Sequence, residues 1–118
     1  MLEQFEGEDV SVVGVSTDSY FSHNAWFSDR DIFPVEISHP VVADTTHALS
    51  KTFGVLNDDM GVSYRGTIIV DDKGTVRSTS VTDLSAGRSP QEVLRTVQAL
   101  KSGGLCGVNW NSGDDFVA

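Results

Sequence analysis

Apolar and polar positions along this chain switch between two periods, and the switches mark its elements. Leu2 and Phe5 stand three apart before Gly7, as at the end of a helix. Asp9-Val10-Ser11-Val12-Val13-Gly14-Val15-Ser16 follows, β-branched and almost continuously apolar after Ser11. Such a run predicts a strand covered on both faces, as at the centre of a parallel sheet. Ser19 offers an N-cap, and Phe21, Ala25 and Trp26 recur at helical spacing between Tyr20 and Asp29. A loop carrying Pro34 and Pro40 leads to a short strand at Val41-Val42-Ala43. Asp44 or Thr45 then caps a helix through Ala48, Leu49, Thr52 and Phe53, which Gly54 stops.

Asn57 to Gly61 is polar and reads as a loop. Tyr64 to Val70 is the second strong strand, Asp71-Asp72-Lys73-Gly74 a hairpin turn with glycine placed for positive φ. Thr75 to Thr82 returns with Val76 and Val81 among polar residues and without strict alternation, the pattern of an edge strand. Ser89 opens the closing helix, with Pro90 in its first turn and Glu92 completing a Ser-x-x-Glu capping box. Val93, Leu94, Val97 and Leu100 form its buried stripe, and from Gly103-Gly104 onward the chain is irregular and acidic. The order is helix end, β, α, β, α, β, β, α, tail, which predicts an α/β fold with a thioredoxin-like mixed sheet. A strand as apolar as 10–15 needs a neighbour and helices on both faces, so the opening reads as N-terminally truncated. The organisation expected is one domain over 1–101 and a C-terminal tail over 102–118.

Charge removes some function classes. Seventeen acids, mostly Asp, face eight bases for a net −9, which repels nucleic-acid phosphates and anionic membranes alike. Only three lysines occur, Lys51, Lys73 and Lys101, and the balance suits a halophilic protein kept soluble in concentrated salt. No apolar run is long enough to cross a bilayer, and the acidic start from Met1 to Glu8 lacks the basic opening of a signal peptide, so the cytoplasm is expected. His23, His39 and His47 lack ligand spacing, no calcium-loop pattern occurs at Asp58-Asp59 or Asp71-Asp72, and no phosphate-cradling glycine loop or Ser-His-Asp spacing is present. No metal and no cofactor is therefore expected. The single cysteine, Cys106, excludes an intrachain disulfide and leaves a buried free thiol, a reactive thiol or half of an intermolecular bridge. Trp26 and Trp110 are anchors either of a core or of an interface.

Several linked stretches carry a resemblance. Gly14-Val15-Ser16-Thr17-Asp18-Ser19 with Phe21-Ser22-His23-Asn24-Ala25-Trp26, then Asp44-Thr45-Thr46-His47, form the first group. Phe53-Gly54-Val55-Leu56, Gly61-Val62-Ser63-Tyr64-Arg65-Gly66, Ile69-Val70-Asp71-Asp72-Lys73-Gly74 and Asp83-Leu84-Ser85-Ala86-Gly87-Arg88-Ser89 continue it. In this order and spacing, from about Val10 to Asn111, the chain resembles a typical two-cysteine peroxiredoxin of the alkyl hydroperoxide reductase and thioredoxin peroxidase kind. The resemblance implies a thioredoxin-like three-layer α/β/α sandwich and an antioxidant peroxidase that reduces hydrogen peroxide and organic hydroperoxides, with a thioredoxin-like reductant.

The same resemblance implies residue roles. Arg65 matches the family's active-site arginine, whose guanidinium favours a thiolate and orients a peroxide oxygen. Arg88 matches a second arginine of that network; read on its own it could merely pair with a nearby acid. Cys106, in Gly104-Leu105-Cys106-Gly107-Val108-Asn109-Trp110, resembles the resolving cysteine, with Gly107 where the family usually has proline. Such a thiol is expected in a mobile, exposed tail that reacts quickly with thiol reagents. The family's attacking cysteine, threonine and Pro-containing loop have no counterpart in the sequence. Two readings stay open: an enzyme whose missing half is supplied, by a start of the reading frame upstream of Met1 or by a separately encoded fragment that docks, or a non-catalytic remnant or subunit that binds full-length peroxiredoxin. The expected assembly is a homo-oligomer or a partnership with a peroxiredoxin subunit.

Overall fold

Three helices of this chain start where a side chain, of Ser19, Asp44 or Ser89, reaches orphan backbone N–H groups. The computed structural model describes residues 1–32 and 37–117. In chain order the elements are α1 (Leu2–Gly7), β1 (Gly14–Ser16), α2 (Tyr20–Phe27), β2 (Val41–Ala43), α3 (Ala48–Thr52), β3 (Leu56–Asn57), β4 (Val62–Ser63), β5 (Arg65–Val70), β6 (Val76–Thr82) and α4 (Pro90–Ser102). Ser19 Oγ accepts from Ser22 N–H at 3.1 Å to open α2, and Ser89 Oγ accepts from Glu92 N–H at 3.4 Å to open α4. At α3 the cap is Asp44, as expected, although His47 at φ 63° is the residue immediately before the helix. Asp44 Oδ1 accepts from Leu49 N–H at 3.1 Å, and Oδ2 accepts from Ser50 N–H and Ser50 Oγ, each at 2.8 Å. Gly54 at φ 69° and Gly103 at φ 71° take the left-handed conformation that ends α3 and α4.

The strands form three two-stranded ladders, one parallel and two antiparallel. β1 runs parallel to β2 in the register Gly14↔Val41, Val15↔Val42, Ser16↔Ala43. β5 and β6 form the hairpin predicted around Gly74, with an irregularity between Ile69 and Val70. The small β3–β4 hairpin, Leu56↔Ser63 and Asn57↔Val62, closes around the polar loop read at 57–61, whose first residue alone joins a strand. Its two-residue strands are too short to show alternation, and Asn57 Oδ1 accepting from Met60 N–H organises the turn instead.

The first predicted strand is corrected. Only Gly14–Ser16 of the 9–16 run pairs, because β2 offers only three residues as partner. Its second face is also not covered within the chain, since Val13 is 53% and Val15 44% exposed. Pro34 lies outside the described residues, and Pro40 accepts a backbone hydrogen bond from Gly14 that leads into β1.

The core gathers around α4. Val97 is buried, the rest of the predicted stripe is half-buried, and Phe5 of α1 and Trp110 of the tail are the other buried apolar residues among those described. Lys101 ties the end of α1 to α4, donating to Glu8 O at 2.5 Å and pairing with the Glu8 carboxylate at 3.5 Å. No helix among the described residues is long and apolar enough to cross a membrane.

Candidate functional site

Arg65 opens β5, and Arg88 stands just before the Ser89 cap of α4. A side chain at position 66 would meet Val55 Cγ1 at 2.7 Å, so glycine is what allows the two segments to close there. The Gly66 carbonyl then accepts from Arg88 Nη1 at 3.1 Å, while Arg65 Nε donates to Leu84 O at 3.2 Å. Two exposed guanidinium groups are thereby fixed by backbone carbonyls at one end of the β5–β6 hairpin. Among the described residues neither forms an ion pair, which removes the reading of Arg88 as the partner of a nearby acid. Among the described residues no carboxylate takes the remaining N–H donors of either guanidinium, which leaves them available to an oxygen acceptor.

Cys106 is not part of this corner. The thirteen residues of α4 span about 20 Å, with Arg88 ahead of its first turn and Cys106 against its last. Cys106 Sγ lies 3.6 Å from Ser102 Oγ, 3.8 Å from Gly104 O and 4.0 Å from Ala99 O. Ser102 Oγ in turn donates to Ala99 O at 2.7 Å and accepts from Gly104 N–H at 3.3 Å. The sequence-predicted residues thus fall into two places: Arg65 with Arg88, and Cys106 alone.

The tail corrects a second expectation. It is irregular, but it is folded against α4 instead of extending freely, and Cys106 is half-buried. Trp110 is 5% exposed, its ring stacks on Phe116 with centroids 5.8 Å apart, and its Nε1–H donates to Asp114 O at 3.0 Å. Val117 N–H donates to Leu105 O at 2.7 Å and closes the turn on itself. Trp110 is therefore a core anchor of this chain, whereas Trp26 is 47% exposed.

Arg95, absent from the sequence reading, and Glu92, read there only as part of the capping box, hold this tail. Arg95 Nε and Nη2 donate to the two Glu92 carboxylate oxygens at 2.7 and 2.8 Å, and Nη1 donates to Trp110 O at 2.9 Å. Arg95's hydrogen bonds hold the Glu92 carboxyl below its ordinary range. Glu92's hydrogen bond holds the guanidinium above its own. Glu92-x-x-Arg95 is a legible i, i+3 pair, but nothing in the sequence shows that its free Nη reaches a carbonyl fifteen residues on.

Among the described residues His23 is, with Asp44 and Ser50, a buried polar side chain. Its Nε2 and Ser16 Oγ share a hydrogen bond at 2.5 Å, Ser16 Oγ donates to Asp18 Oδ2 at 3.0 Å, and the imidazole stacks on Phe27. The cluster fastens α2 to the end of β1. Among the described residues no group of three or more His, Cys, Asp or Glu side chains gathers as metal ligands.

Comparison with known proteins agrees with this architecture. Residues 1–79 match the model of the AhpC/TSA family. Peroxiredoxin-1 of Gekko japonicus is 40% identical over 98% of this chain and 61% of its own length, and Peroxiredoxin-2 of Rattus norvegicus is 41% identical with the same coverage. The reduced 2-Cys peroxiredoxin of Plasmodium vivax superposes with a TM-score of 0.90 at 33% identity, covering 98% of this chain and 62% of that one. AhpC of Mycobacterium bovis gives 0.82 at 39% identity, over 93% and 60%. The chain thus spans about three-fifths of the length of the relatives it matches, and its fold is their thioredoxin-like one. By sequence and by fold, the chain belongs to the AhpC/TSA family of peroxiredoxins.

Proposed function

We propose that this chain serves thiol-dependent reduction of hydrogen peroxide and organic hydroperoxides, supplying the arginine pair and the resolving thiol of a peroxiredoxin site. The observation that carries this reading is the separation of the two parts. Arg65 and Arg88 converge at one end of β5–β6 with no carboxylate partner, while the single thiol sits beyond the far end of α4. A thiol so placed works on a sulfur brought by another polypeptide. There, an attacking thiolate takes one peroxide oxygen, releasing an alcohol or water and leaving a sulfenic acid. Cys106 condenses with that sulfenic acid, forming an S–S bond and expelling water, and a thioredoxin-like dithiol reduces the disulfide. Arg65 and Arg88 hold the peroxide oxygen and favour the thiolate.

The partner is a docked full-length peroxiredoxin subunit, because Cys106 is the single cysteine of this sequence and a further copy of it brings no attacking thiol. Cytosol fits a free thiol that must cycle, and the Asp-rich net charge of −9 suits concentrated salt. A second reading, a non-catalytic subunit that only binds full-length peroxiredoxin, is favoured by the exposed Val13 and Val15 beside a three-residue ladder. One experiment separates them. The chain is mixed with a full-length peroxiredoxin and a small excess of hydrogen peroxide, and disulfides are mapped by non-reducing mass spectrometry. A mixed disulfide between Cys106 and the partner's attacking cysteine is expected; a stable complex without one selects the binding-only reading. With dithiothreitol alone the chain consumes no peroxide above buffer. Turnover by the isolated chain that vanishes in Cys106→Ser would make Cys106 the attacking thiol and overturn the assignment.

A further inference from the structure

The residues after Cys106 are bonded mainly to one another. Val117 closes onto Leu105, Trp110 Nε1–H onto Asp114 O, Trp110 N–H onto Gly107 O, and Asn111 N–H onto the Asp114 carboxylate. Phe116 stacks on Trp110 and covers Gly104 so closely that a Cβ there would lie 2.5 Å from its ring. The segment from Leu105 to Val117 is consequently a small cap able to move as a body. Among the described residues, the hydrogen bond that crosses from α4 to the part of this cap beyond Cys106 is the one from Arg95 Nη1 to Trp110 O. Its donor is pre-aimed, since both other faces of the guanidinium fork are taken by Glu92.

We propose that Arg95, aimed by Glu92, is a positioning residue that latches the Cys106 cap against α4 and sets how often the thiol is presented to a partner. Lifting the cap breaks the Arg95–Trp110 bond and unseats the buried Trp110 ring, while the bonds within the cap survive. The thiol is then carried away from Ser102 and the end of α4 without unwinding the helix. The latch is a property of this chain; its use in a redox cycle rests on the reading of Cys106 as a resolving thiol.

The test is the rate at which Cys106 in the intact 118-residue chain reacts with an aromatic disulfide reagent, followed together with backbone hydrogen exchange. Arg95→Gln is expected to raise the reaction rate roughly tenfold, the scale of one hydrogen bond from a charged donor. Exchange across 105–117 rises with it, and exchange within α4 stays unchanged. Arg95→Lys, which can reach the carbonyl but cannot also grip both Glu92 oxygens, restores part of the slow rate. Glu92→Gln, which keeps the Trp110 bond but loosens its aim, gives a smaller rise and serves if Arg95→Gln does not fold. An unchanged rate in a folded Arg95→Gln or Glu92→Gln chain overturns the latch, as does an equal rise of exchange within α4. No peroxide and no partner enters these measurements. A working latch with no mixed disulfide would therefore refute the resolving role and leave the latch standing.

Discussion

Asp44 receives three hydrogen bonds, two from backbone N–H groups of α3 and one from the Ser50 hydroxyl, which also bonds Ser63 of β4 at 2.7 Å. Burial pulls its pKa upward, but the Ser50 and Leu49 donors and the charge of His47 outweigh that, and the carboxyl lies below its ordinary range. A carboxyl depressed in the folded state contributes stability fully above its unfolded pKa, about 4, and loses it as pH falls through the folded value. Asp44→Ala should therefore lower the melting temperature by roughly 4–8 °C at pH 7, the scale of a lost N-cap in a domain this size. The gap between variant and wild type should narrow below the usual carboxylate range; melts by circular dichroism that show a constant gap down to pH 3 would refute the ionic cap. Asp71 follows the same sign, held down first by Thr75 N–H and then by Lys73 N–H and Arg77.

Elements here are joined by close approaches that glycine alone allows. Gly104 takes no positive φ, so the Cβ of an alanine meets no backbone objection; what it meets is the Phe116 ring, with three atoms at 2.5–2.6 Å. Gly104→Ala should displace Phe116, release its stack on Trp110, and speed the reaction of Cys106 with thiol reagents while α4 keeps its far-UV signal. Red-shifted Trp110 emission would report the same event, and an unchanged spectrum would show that the ring has room to give. Gly66→Ala belongs to the hairpin end. It drives Val55 away from β5, so it should loosen the carbonyl that holds Arg88 and leave Cys106 reactivity untouched.

The whole molecule is less buried than its mass predicts. A folded monomer of 12.7 kDa has an accessible surface of about 6,200 Å², whereas this chain exposes 8330 Å². Its radius of gyration is 16.0 Å, against about 13.5 Å for a compact chain of this length. The surplus includes Val13, Val15, Val42 and Val70, all on or beside the paired strands of β1–β2 and β5–β6. Exposed strand residues of this kind associate. The isolated chain should sediment as oligomers or melt over a broad range, and molar salt, which screens the net −9, should sharpen the transition. A monomer with a sharp, cooperative transition in low salt would contradict this.

What the sequence determined by itself is what short-range chemistry decides. Ser19, Asp44 and Ser89 cap helices because a side-chain oxygen three to six residues away reaches an orphan N–H, and Gly54, Gly74 and Gly103 sit where φ must be positive. The same local rules made the β5–β6 hairpin, the closing helix and the ordered motifs from Gly14 to Ser89 legible, and with them the family. Tertiary structure decided the rest. The 9–16 run pairs over only three residues because strand length is set by the partner, and β2 is short. Arg65 and Arg88 come to the same end of the β5–β6 hairpin because Leu84 and Gly66 offer them backbone carbonyls there, nineteen and twenty-two residues away in sequence. Cys106 looked free, with glycines on both sides, yet it is held. Trp110 finds the core, Phe116 finds Trp110, and Arg95 finds a carbonyl fifteen residues on, contacts whose energies depend on burial and long-range approach and leave no period in the sequence.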